Sequence, residues 1–202
     1  RREGIVRGVS VVGDTMTEVL SEIGGRLDHG VLDRLGVRRG EYVLCTIHRQ
    51  ENADDRRKMQ EIIGAIVGSG KRFVLPLHPR TRKNLTSWGM IGTLERAGNV
   101  ILTEPQSFMA FTALEQNAEM IMTDSGGVQK EAYHFHVPCV TVRDETEWVE
   151  TLEDGWNVLT GADRGRIARA LERERPSGVP KDPYGGPGAS RRIVERLEEF
   201  LR

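Results

Sequence analysis

Ser125-Gly126-Gly127, followed one helical turn later by Glu131, is an arrangement in this 202-residue chain that can hold an anion. The apolar run Met120-Ile121-Met122 reads as the end of a buried strand, and Val128 to Phe135 as the first turns of a helix. A strand that stops at a glycine turn and becomes a helix leaves unpaired backbone N–H groups facing outward. The positive end of the helix dipole adds to their pull on an anion. Gly126 and Gly127 have no Cβ, so a phosphate can approach the backbone closely and a positive φ would be cheap. Ser125 can cap the helix and donate its hydroxyl to a phosphate oxygen. Glu131 lies too far along to favour the phosphate itself, but it can accept both hydroxyls of a ribose. The pair therefore suggests a nucleotide diphosphate with its sugar attached. The plain alternative is a capped helix after a strand, with Glu131 solvated.

Other dense polar stretches offer the same choice. In Thr46-Ile47-His48-Arg49-Gln50-Glu51-Asn52, His48 can transfer a proton or stabilise charge on a leaving phosphate, and Arg49 can pair with phosphate oxygens. Otherwise this is a loop of solvated charges in which Asn52 or Asp54 caps the next helix. His78-Pro79-Arg80 is a second such loop. Glu104-Pro105 either shapes a pocket wall or opens a helix, and Arg143-Asp144-Glu145-Thr146-Glu147 either holds sugar or phosphate or is a charged loop. His134-Phe135-His136 and Cys139 straddle a helix end without a clear fourth ligand, so no metal site is expected. There is no Ser-His-Asp order, no P-loop and no clear Gly-x-Gly-x-x-Gly.

The elements that must carry these residues alternate. Strands are expected at Val9–Val12, Tyr42–Ile47, Phe73–Leu77, Asn99–Leu102, Met120–Met122, Cys139–Val142 and Asn157–Leu159. A long amphipathic helix is expected from Asp14, its N-cap, to about Leu35, with Gly36 as its stop. Further helices carry Met59, Ile62, Ile63 and Ile66; Arg82 to Leu94, broken near Gly89; Phe108, Phe111 and Leu114; Ile167 to Leu171; and Ser190 to Leu201. Inner strands apolar on both faces, alternating with helices, specify an α/β fold: a Rossmann-like parallel sheet covered by helices on both faces. Ligands of such sheets bind beyond the carboxyl ends of the strands. His48, His78, Glu104, Ser125 and Arg143 each follow a different strand and so share that rim.

Composition narrows the classes. A formal net charge of −1 excludes nucleic-acid affinity driven by bulk charge, and no apolar run approaches the length of a membrane span. Cys45 and Cys139 sit in apolar strand-like runs, as buried free thiols of a reducing cytoplasm do. Arg1-Arg2-Glu3-Gly4 leads into no signal-peptide pattern, and a first residue other than Met points to a piece of a longer protein. Pro176 to Gly188 is rich in proline and glycine and reads as a connection. Residues 1–175 are accordingly expected to form the ligand-binding domain, and residues 176–202 a connection with a terminal helix that reaches another surface.

Taken together, these residues resemble the UDP-N-acetylglucosamine 2-epimerase family. The resemblance runs through Val12-Gly13-Asp14-Thr15, the His48 block, Leu77-His78-Pro79, Thr123 to Ala132 with its Asp-Ser-Gly-Gly-x-Gln run, and Val137-Pro138. It continues through Arg143 to Glu150 and Gly155-Trp156-Asn157-Val158-Leu159. It implies one half, the C-terminal UDP-binding half, of a two-domain GT-B-type fold with the active site in the cleft between halves. The implied reaction eliminates UDP to leave a glycal and then adds it back, inverting C2 of the sugar. Ser125, Gly126 and Gly127 would hold the diphosphate, Glu131 the ribose, and His48 would act beside the phosphates. Arg49 and His78 match further cleft positions. No cofactor is implied. The expected partners are a UDP-sugar and the N-terminal domain of the same enzyme, with no nucleic acid or membrane; a homodimer is compatible. Thr146-Glu147-Trp148-Val149-Glu150 departs from the Thr-Glu-Arg-Pro-Glu of many members, so the arginine that would approach UDP is absent. The tryptophan version resembles archaeal members and relatives acting on diacetamido uronic acid sugars. A GT-B glycosyltransferase half and a non-catalytic nucleotide-sugar module are the other readings.

Overall fold

Six short strands, Val43–Thr46 (β1), Phe73–Pro76 (β2), Val100–Thr103 (β3), Met120–Thr123 (β4), Cys139–Thr141 (β5) and Asn157–Leu159 (β6), form one sheet. Their order is β3-β2-β1-β4-β5-β6, and every pairing is parallel. The computed structural model describes residues 4–201. β1, β2 and β4 are buried at every position, which is why they read as unbroken apolar runs rather than alternating ones.

Side chains alternate across a strand, so each strand feeds two cores. Val43, Cys45, Phe73, Leu75, Met120 and Met122 belong to one cluster. That cluster is closed by Met59, Ile62, Ile63 and Ile66 of α4 (Arg56–Gly68), Leu85 of α5 (Pro79–Ser87), and Ile167 and Leu171 of α9 (Arg164–Leu171). Burying each such side chain contributes roughly 1.5–3 kcal/mol. Leu44, Val74 and Ile121, all 0 % exposed, point to the opposite face. The Tyr42 hydroxyl donates to the carbonyl of Leu114 at 2.6 Å, in α7 (Phe108–Asn117).

Helix ends follow local chemistry. Asp55 accepts from the N–H groups of Arg57 and Lys58 and caps α4, where the sequence had offered Asn52 or Asp54. Asp54 instead pairs with Arg80, bonding its Nε at 2.8 Å. Gly89 separates α5 from α6 (Ile91–Glu95) at the expected break.

Two expectations do not hold. Val9–Val12 is not a strand: Val9 and Val11 are 62 % and 94 % exposed, and no strand pairs with them. Their β-branched character favours extended backbone, but a strand also needs a partner. The helix expected from Asp14 to Leu35 is divided into α1 (Thr15–Ile23), a 3₁₀ turn (Gly24–Arg26) and α2 (Gly30–Leu35). Gly24 and Gly25 weaken the helix where it breaks. Asp14 does cap α1, accepting from Thr17 N at 2.9 Å, and Gly36 ends α2 at φ +61°.

Packing groups the chain into two units, Leu27–Pro180 and a smaller one of Arg1–Arg26 with Lys181–Arg202. Within the smaller unit, Glu18 of α1 accepts from Gly188 N, Ser190 N and Ser190 Oγ at the start of α10 (Ala189–Leu201). Gly13 has φ +89°, which side chains rarely adopt, and a Cβ there would lie 3.3 Å from the Tyr184 carbonyl, so the position favours glycine. Among the described residues, no helix is long and apolar enough to cross a membrane.

Candidate functional site

The chain runs outward from β1 through β2 to β3, and outward the other way from β4 through β5 to β6. The loops leaving β1 and β4 therefore part, and the crevice between them is where ligands of such sheets sit. Thr46 and Thr123, the last residues of the two strands, bond through their hydroxyls at 2.8 Å.

Asp124, 0 % exposed, ties the two loops together. Its carboxylate accepts from His48 N at 3.0 Å, Arg49 N at 3.0 Å and Asn52 Nδ2 at 3.1 Å. Asn52 also donates to the Val142 carbonyl at 2.8 Å, drawing in the end of β5. Sequence reasoning gave Asp124 no role of its own and read Asn52 as a cap. Only the neighbouring of β1 and β4 makes their partnership visible.

The helix after β4 is α8 (Gly126–His134), with Ser125 in extended conformation at its N-cap. Ser125 makes no side-chain capping bond, so the first N–H groups of α8 stay available to an external anion. Neither Gly126 nor Gly127 has positive φ. The expected conformational freedom is not used, and the value of Gly126 is close approach. A Cβ there would stand 3.3 Å from Trp148 Nε1, 3.5 Å from an Arg49 terminal nitrogen and 3.6 Å from a Glu147 carboxylate oxygen. Arg49 thus reaches the positive end of α8.

Trp148 stands at this spot because two contacts hold it. Its ring lies under Lys130 Nζ, 4.3 Å from the ring centroid, and its backbone N–H donates to Thr146 Oγ1 at 3.1 Å. Thr146 in turn donates to Gln129 Oε1 at 2.6 Å. Gln129, 0 % exposed, also receives Asn157 Nδ2 at 3.3 Å and donates to the Ser125 carbonyl. The glutamine of the Ser-Gly-Gly helix is therefore the joint between α8, the loop after β5 and β6.

The remaining candidates divide. The His48 and His78 rings lie 6.0 Å apart between centroids. Both border a cavity of about 210 Å³, closed by Ile47, Gln106, Phe111 and Val128. His78 caps α5 by accepting Arg80 N at its Nδ1. Arg143 is 7 % exposed and gives both terminal nitrogens to Glu147, at 2.8 and 3.1 Å. That pairing holds the Glu147 carboxyl down to about 2. Glu104 is on the far edge, after β3, in an exposed ion pair with Arg82 at 2.7 Å. The structure does not bring it to the cavity.

Glu131, one turn into α8, is partly buried, and burial raises its carboxyl above the ordinary range. A hydrogen bond with Glu115 and the charge of Lys130 oppose that rise. Like Asp124, the residues Gln106, Phe111, Gln129 and Glu115 lie near the site and carry no role in it on the sequence alone. In the sequence Phe111 only marks the helix after β3. The two cysteines are free and buried, and burial pushes the Cys139 thiol up to about 12.

The family described as UDP-N-acetylglucosamine 2-epimerase matches residues 1–198. A "UDP-N-acetylglucosamine 2-epimerase homolog" of Methanococcus maripaludis is 39 % identical over 204 residues, 99 % of this chain and 57 % of its own. A UDP-2,3-diacetamido-2,3-dideoxy-D-glucuronate 2-epimerase of Pseudomonas aeruginosa is 42 % identical over 167 residues, covering 79 % of this chain and 45 % of its own. Among solved structures, the Methanocaldococcus jannaschii UDP-GlcNAc 2-epimerase in complex with UDP-GlcNAc and UDP superposes with a TM-score of 0.86 at 34 % identity. It covers 98 % of this chain and 57 % of that one. The chain thus spans about half the length of these relatives.

Proposed function

Because the chain belongs to the UDP-N-acetylglucosamine 2-epimerase family, we propose that it is the UDP-binding half of an isomerase interconverting UDP-GlcNAc and UDP-ManNAc. The observation that carries this reading is the meeting of the α8 N-terminus with Arg49 at the crevice between β1 and β4. Ser125, Gly126 and Gly127 take the diphosphate, Glu131 the ribose hydroxyls, and the cavity lined by Phe111 and Val128 the flat base.

In the reaction, a base removes the C2 proton of the sugar and the C1–O bond breaks, so that UDP leaves with the bonding electron pair. On re-addition UDP returns to C1 on the face it left while C2 takes a proton on the opposite face, so that only C2 is inverted. Negative charge grows on the departing diphosphate. Fixed N–H donors and the Arg49 guanidinium aimed at that charge stabilise the transition state more than the ground state. His48, held by its backbone on Asp124, stands beside the leaving phosphate as the catalytic participant, with His78 behind it. Arg143 acts through Glu147, and Glu104 at most borders the cleft mouth. The carboxylates that move the C2 proton belong to the preceding N-terminal domain, so this chain alone binds UDP without epimerising.

Residues 1–175 form the UDP-binding domain in this reading, and residues 176–202 carry α10 onto the N-terminal domain. Val194, Leu197 and Phe200 of α10 are 53 %, 55 % and 87 % exposed, an apolar face that supports such a docking. The enzyme works in the cytoplasm without nucleic acid or membrane, in keeping with its free thiols, and a homodimer is compatible with the reading. The Pseudomonas relative favours a second reading, in which the same reaction runs on a diacetamido uronic acid sugar.

Calorimetric titration of the chain with UDP, with GDP and Glu131→Ala as controls, tests the binding half. Saturable UDP binding, weaker for GDP and for the variant, is expected. Absence of binding by the folded chain joined to its N-terminal domain would overturn the reading. Turnover of a single UDP-sugar without an acceptor then separates epimerase from glycosyltransferase.

A further inference from the structure

Glu115 and Asp124 are both 0 % exposed, but they are treated differently by their surroundings. Asp124 receives three N–H donors. Neither oxygen of Glu115 receives a bond from an N–H or O–H group of another residue, and both oxygens are fully enclosed. The group that interacts with the Glu115 carboxyl is another carboxyl, that of Glu131 on α8, the helix packed against α7. Two ionised carboxylates are acceptors only, so such a contact requires a proton between them.

Neighbouring groups decide where that proton sits. Tyr42 commits its hydroxyl to the Leu114 carbonyl. The Cys139 thiol is buried and uncharged. Lys130 lies near Glu131 and favours a negative charge there. Glu131 is also the more exposed of the two acids. The charge therefore belongs on Glu131 and the proton on Glu115. Helical spacing ties the pair to the cavity. Glu115 follows Phe111 by four residues on α7, and Glu131 follows Val128 by three on α8, so each acid sits one turn along from a cavity-lining residue.

We propose that Glu115 is a buried neutral carboxylic acid whose O–H is donated to the Glu131 carboxylate, making it a positioning residue for recognition of the ribose. The inference rests on the assignment of Glu131 to the ribose hydroxyls. Held from behind by one donor, Glu131 keeps its remaining lone pairs turned toward those hydroxyls. Preference for a ribonucleotide over a deoxyribonucleotide then depends on a residue that never touches the ligand.

The test uses the full chain, with UDP and 2′-deoxy-UDP as ligands. At neutral pH the infrared spectrum should contain the carbonyl band of a protonated carboxylic acid, and Glu115→Gln should remove it; no such band in the wild type overturns the proposal. Glu115→Gln, whose amide still donates, should keep UDP affinity within about twofold, whereas Glu115→Leu should lose about tenfold on UDP and much less on 2′-deoxy-UDP. Equal losses in the two variants, or an unchanged preference for UDP in Glu115→Leu, overturn the positioning role. Glu131→Gln separates the two levels. If it leaves the preference intact, the ribose assignment itself falls. If it abolishes the preference while Glu115→Leu does not, only the role of Glu115 falls. Should Glu115→Leu not fold, the infrared band and the Glu115→Gln affinity still decide.

Discussion

The carboxylate of Asp124 holds the backbone N–H of His48 at 3.0 Å, across a gap of 76 residues in sequence. The position of the histidine is therefore set by the strand beside its own. Asp124→Ala would strand the N–H groups of His48 and Arg49 and the amide of Asn52. A loss of about 3 kcal/mol is expected, read by urea unfolding, because each buried donor left without an acceptor costs about 1–3 kcal/mol before relaxation. UDP affinity should fall in the same variant. Full stability would remove Asp124 from the centre of the site.

Gly126→Ala isolates close approach from folding. The glycine has no positive φ, and its added methyl meets Trp148, Arg49 and Glu147 at 3.3 to 3.6 Å. The fold should persist within about 1 kcal/mol, since alanine suits a helix better than glycine. UDP affinity should drop about tenfold or more, because the methyl fills the space a phosphate oxygen needs. Thermal melting paired with calorimetry reads both.

His48→Ala in the two-domain enzyme should reduce kcat on the order of 100-fold or more, the scale of a lost proton-transfer group. UDP affinity should change only a few-fold. Loss of UDP binding with unchanged turnover of bound substrate would reverse the assignment.

Two acids give stability profiles of opposite sign. Glu147 is held down to about 2 by Arg143, so its contribution is present above the ordinary 4.5 and is lost as pH falls toward 2. Glu147 is about half exposed, so that contribution stays below about 1 kcal/mol. Glu147→Gln should flatten the acid side of the curve.

Glu115 works the other way. Burial first, then the charge of Glu131, raises its carboxyl well above 4.5. Its contribution is fully present below 4.5 and is lost as pH rises toward the folded value. Glu115→Gln should therefore gain on the wild type as pH rises above 4.5. Urea unfolding across that range would show parallel curves if Glu115 were an ordinary solvated acid.

How far the sequence reached depends on the distance over which each feature is determined. The Ser125 turn, the Asp14 cap and the Gly36 stop are local, and they were legible. The rim shared by five loops followed from strand alternation, but the sequence did not order the strands. Glu104 follows β3, three strands from β4, about 14 Å away at the usual strand spacing. Asp124, Asn52 and Gln129 take their partners from distant segments, so their types alone could not reveal them. Glu115 was hidden for a different reason: an acid inside an amphipathic helix normally marks the solvent face. Val9–Val12 shows the converse, strand-forming residues with no neighbour to pair with.

The pairing of β1 with β4 also has a consequence for how the molecule is made. Val43 and Met120 sit side by side, yet the two strands between β1 and β4 in sequence, β2 and β3, build the opposite wing of the sheet. During synthesis β1, β2 and β3 can assemble as soon as they emerge, leaving one edge of β1 unpaired until β4 follows. That open edge is a template for another chain, and closing so long a loop slows folding. The crevice opens only when Thr123 finds Thr46. The most vulnerable stage of biogenesis and the first appearance of the phosphate crevice are then one event, which UDP present during refolding should hasten.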